Sequence, residues 1–282
     1  MVIDVITAMS VQADLDAVTE WTRKWLMRLN VAKCKVMHFG AGGTQYTIED
    51  LSIDQRKPLE ESTCERDLGV YVSSDLSWTK HIEEMVSKAN RILGLLVRTF
   101  TSRDVDLWRN LYISLVRPHL EFASVVWNPY LRKDIDLIER VQKRATKIPT
   151  ELCNLSYEER LRRWGLTTLE VRRVRGDLIQ MYKVRNGIEE INWYTGPDYA
   201  LPNQTRATAR NDSSLRREIF PSKNRNNYSY FVSLRHNFFL NRVSESWNVL
   251  SNSEVHAPSV NSFKAKIDIL MKTAAIACTQ AQ

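Results

Sequence analysis

Hydrophobic positions along the chain change their period as it proceeds. Over residues 11–29, Leu15, Val18, Trp21, Trp25 and Leu29 recur at helical spacing and predict an amphipathic helix that Asn30 closes. From Cys34 the pattern shortens to Val36-Met37-His38-Phe39, then Tyr46 to Ile48, then Val70-Tyr71-Val72. Each suits a strand, and Gly40-Ala41-Gly42-Gly43 reads as a hairpin turn between the first two. Three strands in one small antiparallel sheet are therefore expected, marginal unless something covers them.

From His81 onward the pattern is helical. Ile82, Met85, Val86, Ala89, Ile92, Leu93, Leu96 and Val97 form a wide apolar stripe over residues 80–100. Asp104 to Val116 repeats it, and Pro118 is expected to separate that helix from a short segment ending near Trp127. Asp134 to Ile148 predicts another helix, with Ile135, Ile138, Val141, Ala145 and Ile148 inward. Ser156 with Glu159 is a capping-box signature, and Leu169 to Arg185 is a long helix that Gly187 stops. Residues 188–227 hold Pro197, Pro202 and Pro221 among many Asn, Thr, Ser and Arg, and predict an irregular connection. Phe231 to Leu250 and Ser262 to Met271 read as terminal helices, with a frayed tail after Lys272. The expected fold class is mainly α with a small antiparallel β-sheet near the N-terminus.

At 282 residues the chain could hold one large domain or two ordinary ones, and 43% hydrophobic with 26% charged residues is a globular composition. Its apolar runs are shorter than a membrane span, so no membrane role is expected. Residues 1–10 lack a basic start and a long apolar core, so a nuclear or cytoplasmic site is expected rather than secretion. Cys34, Cys64, Cys153 and Cys278 are scattered and suggest neither a zinc site nor a disulfide framework.

The net charge of +7 is unevenly spread. Residues 1–90 carry 10 basic and 14 acidic side chains, and the excess of cations comes from residues 139–175 and 205–242. Concentrated positive charge attracts phosphates and releases their counterions, which points to nucleic acid as partner. The plainer alternative pairs each Arg with a Glu one helical turn away. Arg140, Lys143, Arg144 and Lys147 follow an i, i+3, i+4, i+7 pattern and line one face. Four cations so close repel unless an anion is near, although the helix dipole also favours cations at this end. Lys80, Lys88, Arg91 and Arg98 lie on or near the apolar-striped helix of residues 80–100, and the first three are close in helical angle. Arg160, Arg162, Arg163, Arg172, Arg173 and Arg175 extend the basic character less specifically. Trp21, Trp25, Trp108 and Trp127 fall at or near core spacings and are expected to be buried. The five histidines show no metal spacing, and no serine has a nucleophile context.

Several motifs, in order, carry a family likeness. They are Trp21-x-x-Lys24-Trp25-x-x-x-Leu29-Asn30-x-x-Lys33-Cys34, then Asp67-Leu68-Gly69-Val70 leading to Trp78-Thr79-Lys80-His81-Ile82. Leu115-Val116-Arg117-Pro118-His119-Leu120-Glu121-Phe122-Ala123, Trp127-Asn128-Pro129-Tyr130 and Ile138-Glu139-Arg140-Val141-Gln142-Lys143-Arg144-Ala145-Thr146-Lys147 follow. Together, from about Asp14 to Ser262, the chain resembles the end of the palm, the thumb and the C-terminal region of non-LTR retrotransposon reverse transcriptases, the LINE type, closest to the CR1-like and jockey-like groups. The resemblance implies a palm remnant over residues 1–76, thumb-like helices over 77–130, a basic helical region over 131–187, an irregular connection over 188–230 and C-terminal helices over 231–282. It further implies contact with RNA and RNA–DNA hybrid through Lys80, Lys88, Arg91, Arg98, Arg140, Lys143, Arg144 and Lys147, with a primer-grip hairpin at Leu68, Gly69 and Val70. Lys33 falls where that family has a lysine thought to protonate the departing pyrophosphate.

That family's polymerases use Mg2+ held by a paired-aspartate motif placed shortly before the Trp-x-x-Lys-Trp segment. Met1 to Ser10 contains only Asp4, so the sequence resembles a polymerase cut off after its chemistry, with no cofactor retained and no expectation of polymerising alone. Two other readings stand beside it: a module whose apolar helix faces pack on other polymerase parts or host proteins, and an inert remnant of a mobile element.

Overall fold

The computed structural model describes residues 5–39, 43–51, 55–193, 196–199, 211–218 and 236–280, with the backbone alone at 5–9 and 272–280. The fold is mainly helical with small sheets near the N-terminus. Two compact units divide the chain, Met1–Glu83 and Glu84–Gln282.

In the first unit, helix α1 (Val5–Lys24) precedes six short strands, β1 (Lys35–Val36), β2 (Thr47–Asp50), β3 (Gln55–Pro58), β4 (Glu60–Glu61), β5 (Cys64–Asp67) and β6 (Val70–Ser73). They form three two-stranded ladders rather than the single sheet the alternation suggested. β1 pairs parallel with β4, β2 antiparallel with β3, and β5 antiparallel with β6. Most of the turn expected at Gly40 to Gly43 lies outside the described residues, and β2 takes β3 as its partner instead of β1. Leu68 and Gly69 make the two-residue β5–β6 turn with φ of 45° and 92°. Positive φ at both central positions matches the right-handed twist of the flanking strands, so Gly69 serves a hairpin turn and not a bulge.

Helix α1 shows a different buried face from the one its periodicity suggested. Thr19 and Thr22 are buried, whereas Val18, Trp21 and Trp25 are exposed, Trp25 by 60%. Polar clasps decide the orientation. The Gln12 side chain donates to Thr47 O and accepts from Thr47 N at 2.9 and 3.0 Å. Asp16 pairs with Arg56 at 2.8 Å, and Arg23 with Glu49 at 2.7 Å. Docking the edge of β2 through a side-chain amide satisfies backbone groups that would otherwise stay unpaired, and it turns the aromatic stripe to solvent. The helix also closes at Lys24, ahead of Asn30.

Helix α2 (Thr79–Thr99) opens in the first unit and continues into the second. Near its start His81 is buried, and its Nδ1 accepts the Tyr71 N–H of β6 at 3.2 Å. Burial, and then the positive charge of Arg66, hold the imidazole below its ordinary value. A depressed His contributes stability above its unfolded pKa, and that stability is lost as pH falls through the lower folded value. The Tyr71 amide should therefore exchange faster as pH drops from 7 towards 5, after correction for intrinsic rates. The variant His81→Gln should lose this pH dependence, and equal dependence in both proteins would refute the assignment.

The second unit is built around α8 (Leu169–Arg185). Helices α5 (Ser124–Trp127), α6 (Arg132–Ala145), α9 (Phe239–Asn248) and α11 (Val260–Gln280) all pack on it. Between α2 and α5, helix α3 (Val105–Leu111) runs through a wide π turn (Tyr112–Val116) into α4 (Arg117–Glu121). Pro118 thus does not end the helix. Its missing N–H and its ring would disrupt an ordinary turn. The Arg117 N–H instead reaches back five residues to Tyr112 O, and the chain continues. Trp108, Tyr112, Val116 and Leu120 are fully buried along this segment.

Helix α7 (Tyr157–Trp164) carries the expected capping box, with Ser156 and Glu159 engaged reciprocally. Thr168 caps α8, and Gly187, at φ 64°, follows its end. Residues 194–195, 200–210 and 219–230 of the expected connection lie outside the described residues. Asn211, Ser213, Ser214 and Leu215 are buried, and Asn211 donates to Trp247 O and Leu250 O at 3.0 Å. Leu215 joins Leu178, Met181, Trp247 and Phe263 in one apolar cluster, beside the short helix α10 (Asn252–Val255). Helix α11 runs to Gln280, past the expected fraying point at Lys272.

Candidate functional site

Helix α6 has a strongly two-sided sequence, and its charges divide accordingly. Ile138, Val141 and Ala145 are buried, whereas Arg140, Lys143, Arg144 and Lys147 are all exposed. Lys147 lies just past the helix end, where its N–H bonds Arg144 O at 3.2 Å.

The acidic residues of α6 are engaged elsewhere. Asp134 is buried. Asp136 pairs with Arg132 at 3.1 Å, which leaves Arg140 only the Asp136 carbonyl at 3.3 Å. Glu139 turns inward, where it accepts from the Tyr157 hydroxyl and from Leu169 N. Burial, together with that neighbouring carboxylate, pushes the Tyr157 phenol far up, so it remains a neutral donor. Gln142 extends the same buried network, accepting from Tyr112 Oη at 2.7 Å and donating to Thr167 O at 3.0 Å. None of Arg140, Lys143, Arg144 and Lys147 has a carboxylate within ion-pair distance among the described residues. Lys143 instead lies 5.2 Å from the centre of the Tyr157 ring, an arrangement that steadies the side chain and keeps its charge.

This face meets α2. Arg144 Nη1 reaches Asn90 Oδ1 at 3.5 Å, and Asn90 lies between the exposed Lys88 and Arg91. Arg144 thus meets α2 between two of its exposed cations. Arg98 is exposed further along α2. Burial, and next the charge of Lys88, lower the His119 imidazole on α4, so that side chain adds no charge near neutrality.

Other expected site residues belong to the first unit. Lys80 is exposed in the first turn of α2, within the first unit. Lys33 ends the 3-10 turn Val31–Lys33 and is exposed. Leu68 is 89% exposed at the hairpin tip, whereas Val70 is buried. The remaining arginines are mostly structural. Arg172 pairs with Glu121, Arg175 with Asp268 at 2.5 Å, and Arg160 and Arg173 are buried. Only Arg162 and Arg163 of that group are exposed. Of the tryptophans expected inside, Trp108 and Trp127 are buried, and Trp164 and Trp247 join them.

Sequence reasoning missed the Arg144–Asn90 link and a polar chain through Arg173, Asn128, Asp177 and Arg242. Only the Asn128-Pro129 motif hinted at the second.

No group of three or more His, Cys, Asp or Glu side chains gathers as a metal site among the described residues. No described helix is long and apolar enough to cross a membrane.

A distant relative completes the picture. Over 158 residues the chain is 26% identical to an uncharacterised protein of Caenorhabditis elegans, covering 55% of this chain and 74% of the other. No family model matches the chain, and no solved structure does. The relative brings no activity with it.

Proposed function

We propose that this chain is thumb-type and C-terminal material of a non-LTR retrotransposon reverse transcriptase, and that it grips RNA and RNA–DNA hybrid without reading sequence. The carrying observation is the exposed face of α6, whose cations have no carboxylate within ion-pair distance among the described residues because the helix's own acids are engaged elsewhere. Lys88 and Arg91 widen that face on α2. Such a surface attracts a phosphate backbone, and it presents no pattern of base-reading donors and acceptors. The order of sequence motifs supplies the family. The proposal is of grip alone.

Fluorescence anisotropy of the folded chain against an RNA–DNA primer–template, at two salt concentrations, tests it. Binding that weakens steeply with salt is expected. A folded protein that binds no hybrid at low salt would exclude the grip.

The exposed Trp21, Trp25, Leu26 and Met27 favour a second reading, a module that docks on other polymerase parts or on a host protein. Replacing both tryptophans with alanine separates the two. Hybrid binding should persist under the first reading, and partner association should fail under the second.

A further inference from the structure

The motif Trp127-Asn128-Pro129-Tyr130 has no part in the basic face. It borders a cavity of about 270 Å³ in the second unit, walled in part by Asn128, Pro129, Tyr130, Glu170, Arg173 and Arg242. A chain of hydrogen bonds fixes its polar side. Asn128 Oδ1 accepts from Arg173 Nε at 3.0 Å, and Asn128 Nδ2 donates to Asp177 Oδ2 at 3.0 Å. Arg242 grips the same carboxylate through two bonds of 2.8 and 2.9 Å.

Arg173 is the anomaly. It is only 2% exposed, and both of its terminal nitrogens are buried without a hydrogen-bond partner. Native proteins rarely leave four such N–H groups unmet, because each forgoes its hydration for nothing in return. Burial pulls this guanidinium below its ordinary value, while Glu139, Glu170 and Asp177 act the other way. None of those carboxylates bonds the terminal nitrogens. Asp177 is taken by Arg242, Glu139 by Tyr157 and Leu169 N, and Glu170 by the exposed Arg132 at 3.4 Å.

We propose that this cavity binds a small oxyanion, a phosphate or carboxylate group whose two oxygens take both terminal nitrogens of Arg173 together. The fork geometry suits two side-by-side acceptors better than single waters. Asn128 presets the fork by holding Nε. The terminal nitrogens lie behind the cavity wall, so entry requires part of the wall to move. Glu170 lines the cavity and is exposed. Its negative charge also opposes the ligand. The site is separate from the α6 face and does not depend on that face gripping nucleic acid.

Isothermal titration of the full folded chain with inorganic phosphate, and separately with acetate, tests the site. One-to-one saturation with a dissociation constant of about 1 mM or tighter is expected. Glu170→Gln removes the opposing charge and should tighten binding by about threefold or more. Arg173→Lys keeps a charge but loses the fork, and should weaken binding by about tenfold. Gln in place of Arg140, Lys143, Arg144 and Lys147 should leave phosphate binding unchanged, so failure here and failure of the nucleic-acid grip are read separately. Competition with a trinucleotide bearing a 5′-phosphate or a 5′-hydroxyl identifies the source. Displacement by the phosphorylated form alone assigns a strand end, and displacement by neither assigns a free anion. A folded chain that shows no saturable binding, or binding indifferent to both Glu170→Gln and Arg173→Lys, would overturn the proposal.

Discussion

Changing Arg140, Lys143, Arg144 and Lys147 together to Gln should weaken binding to an RNA–DNA hybrid by about a hundredfold or more near physiological salt. Each phosphate neutralised contributes nearly one unit to the slope of log K against log salt, so four lost contacts should flatten that slope by about three and a half units. The fold should survive the change, because all four side chains are exposed. The largest internal loss is the contact of Lys143 with the Tyr157 ring, about 1 kcal/mol. Anisotropy titrations over a salt series, with circular dichroism as the fold control, provide the measurement. An unchanged slope would place the grip elsewhere. Removing Arg172 or Arg175 is a poor substitute, since their guanidinium groups hold Glu121 and Asp268.

Trp247→Ala should destabilise the second unit by about 3–5 kcal/mol, the usual range for deleting a large buried aromatic. The indole is fully buried in the cluster with Leu178, Met181 and Phe263, its ring centre 6.1 Å from that of Phe263. It has a second role. Its Nε1 donates to Ser213 O at 3.0 Å, and its own carbonyl accepts from Asn211. The substitution should thus lower the urea midpoint and also raise hydrogen exchange at Ser213 to Leu215 beyond the global effect. A midpoint shift worth less than about 1 kcal/mol would mean that the cavity collapses without cost.

What the sequence made legible was local. The capping box at Ser156, the stop of α8 at Gly187 and the inward Ile138, Val141 and Ala145 of α6 depend on neighbours a few positions away, and all are found. The face of α1 depended on a distant partner. Its aromatics have the stronger hydrophobic period, yet Gln12 satisfies the β2 edge only when Thr19 and Thr22 face inward. Strand pairing failed for a similar reason, because two-residue strands carry too little alternation to name a partner. The candidate site divides along the same line. Exposure of the α6 cations was legible from their spacing on one face. Which arginines were already paired was not, since Arg172 and Arg175 find their carboxylates 51 and 93 residues away.

The wide turn at Tyr112–Val116 makes phase part of the chain's information. Trp108, Tyr112, Val116 and Leu120 recur every fourth residue, and on an ordinary α-helix that spacing drifts by roughly 40° per step. The looser turn unwinds the drift and returns all four to the same side. Seen this way, the segment carries a surplus residue that serves as a rotational spacer. Winding all its residues into an ordinary α-helix would make the hydrogen bonding more uniform and turn Leu120 about 120° out of line with Trp108. Regular backbone and a filled interior are alternatives here, and the chain takes the second.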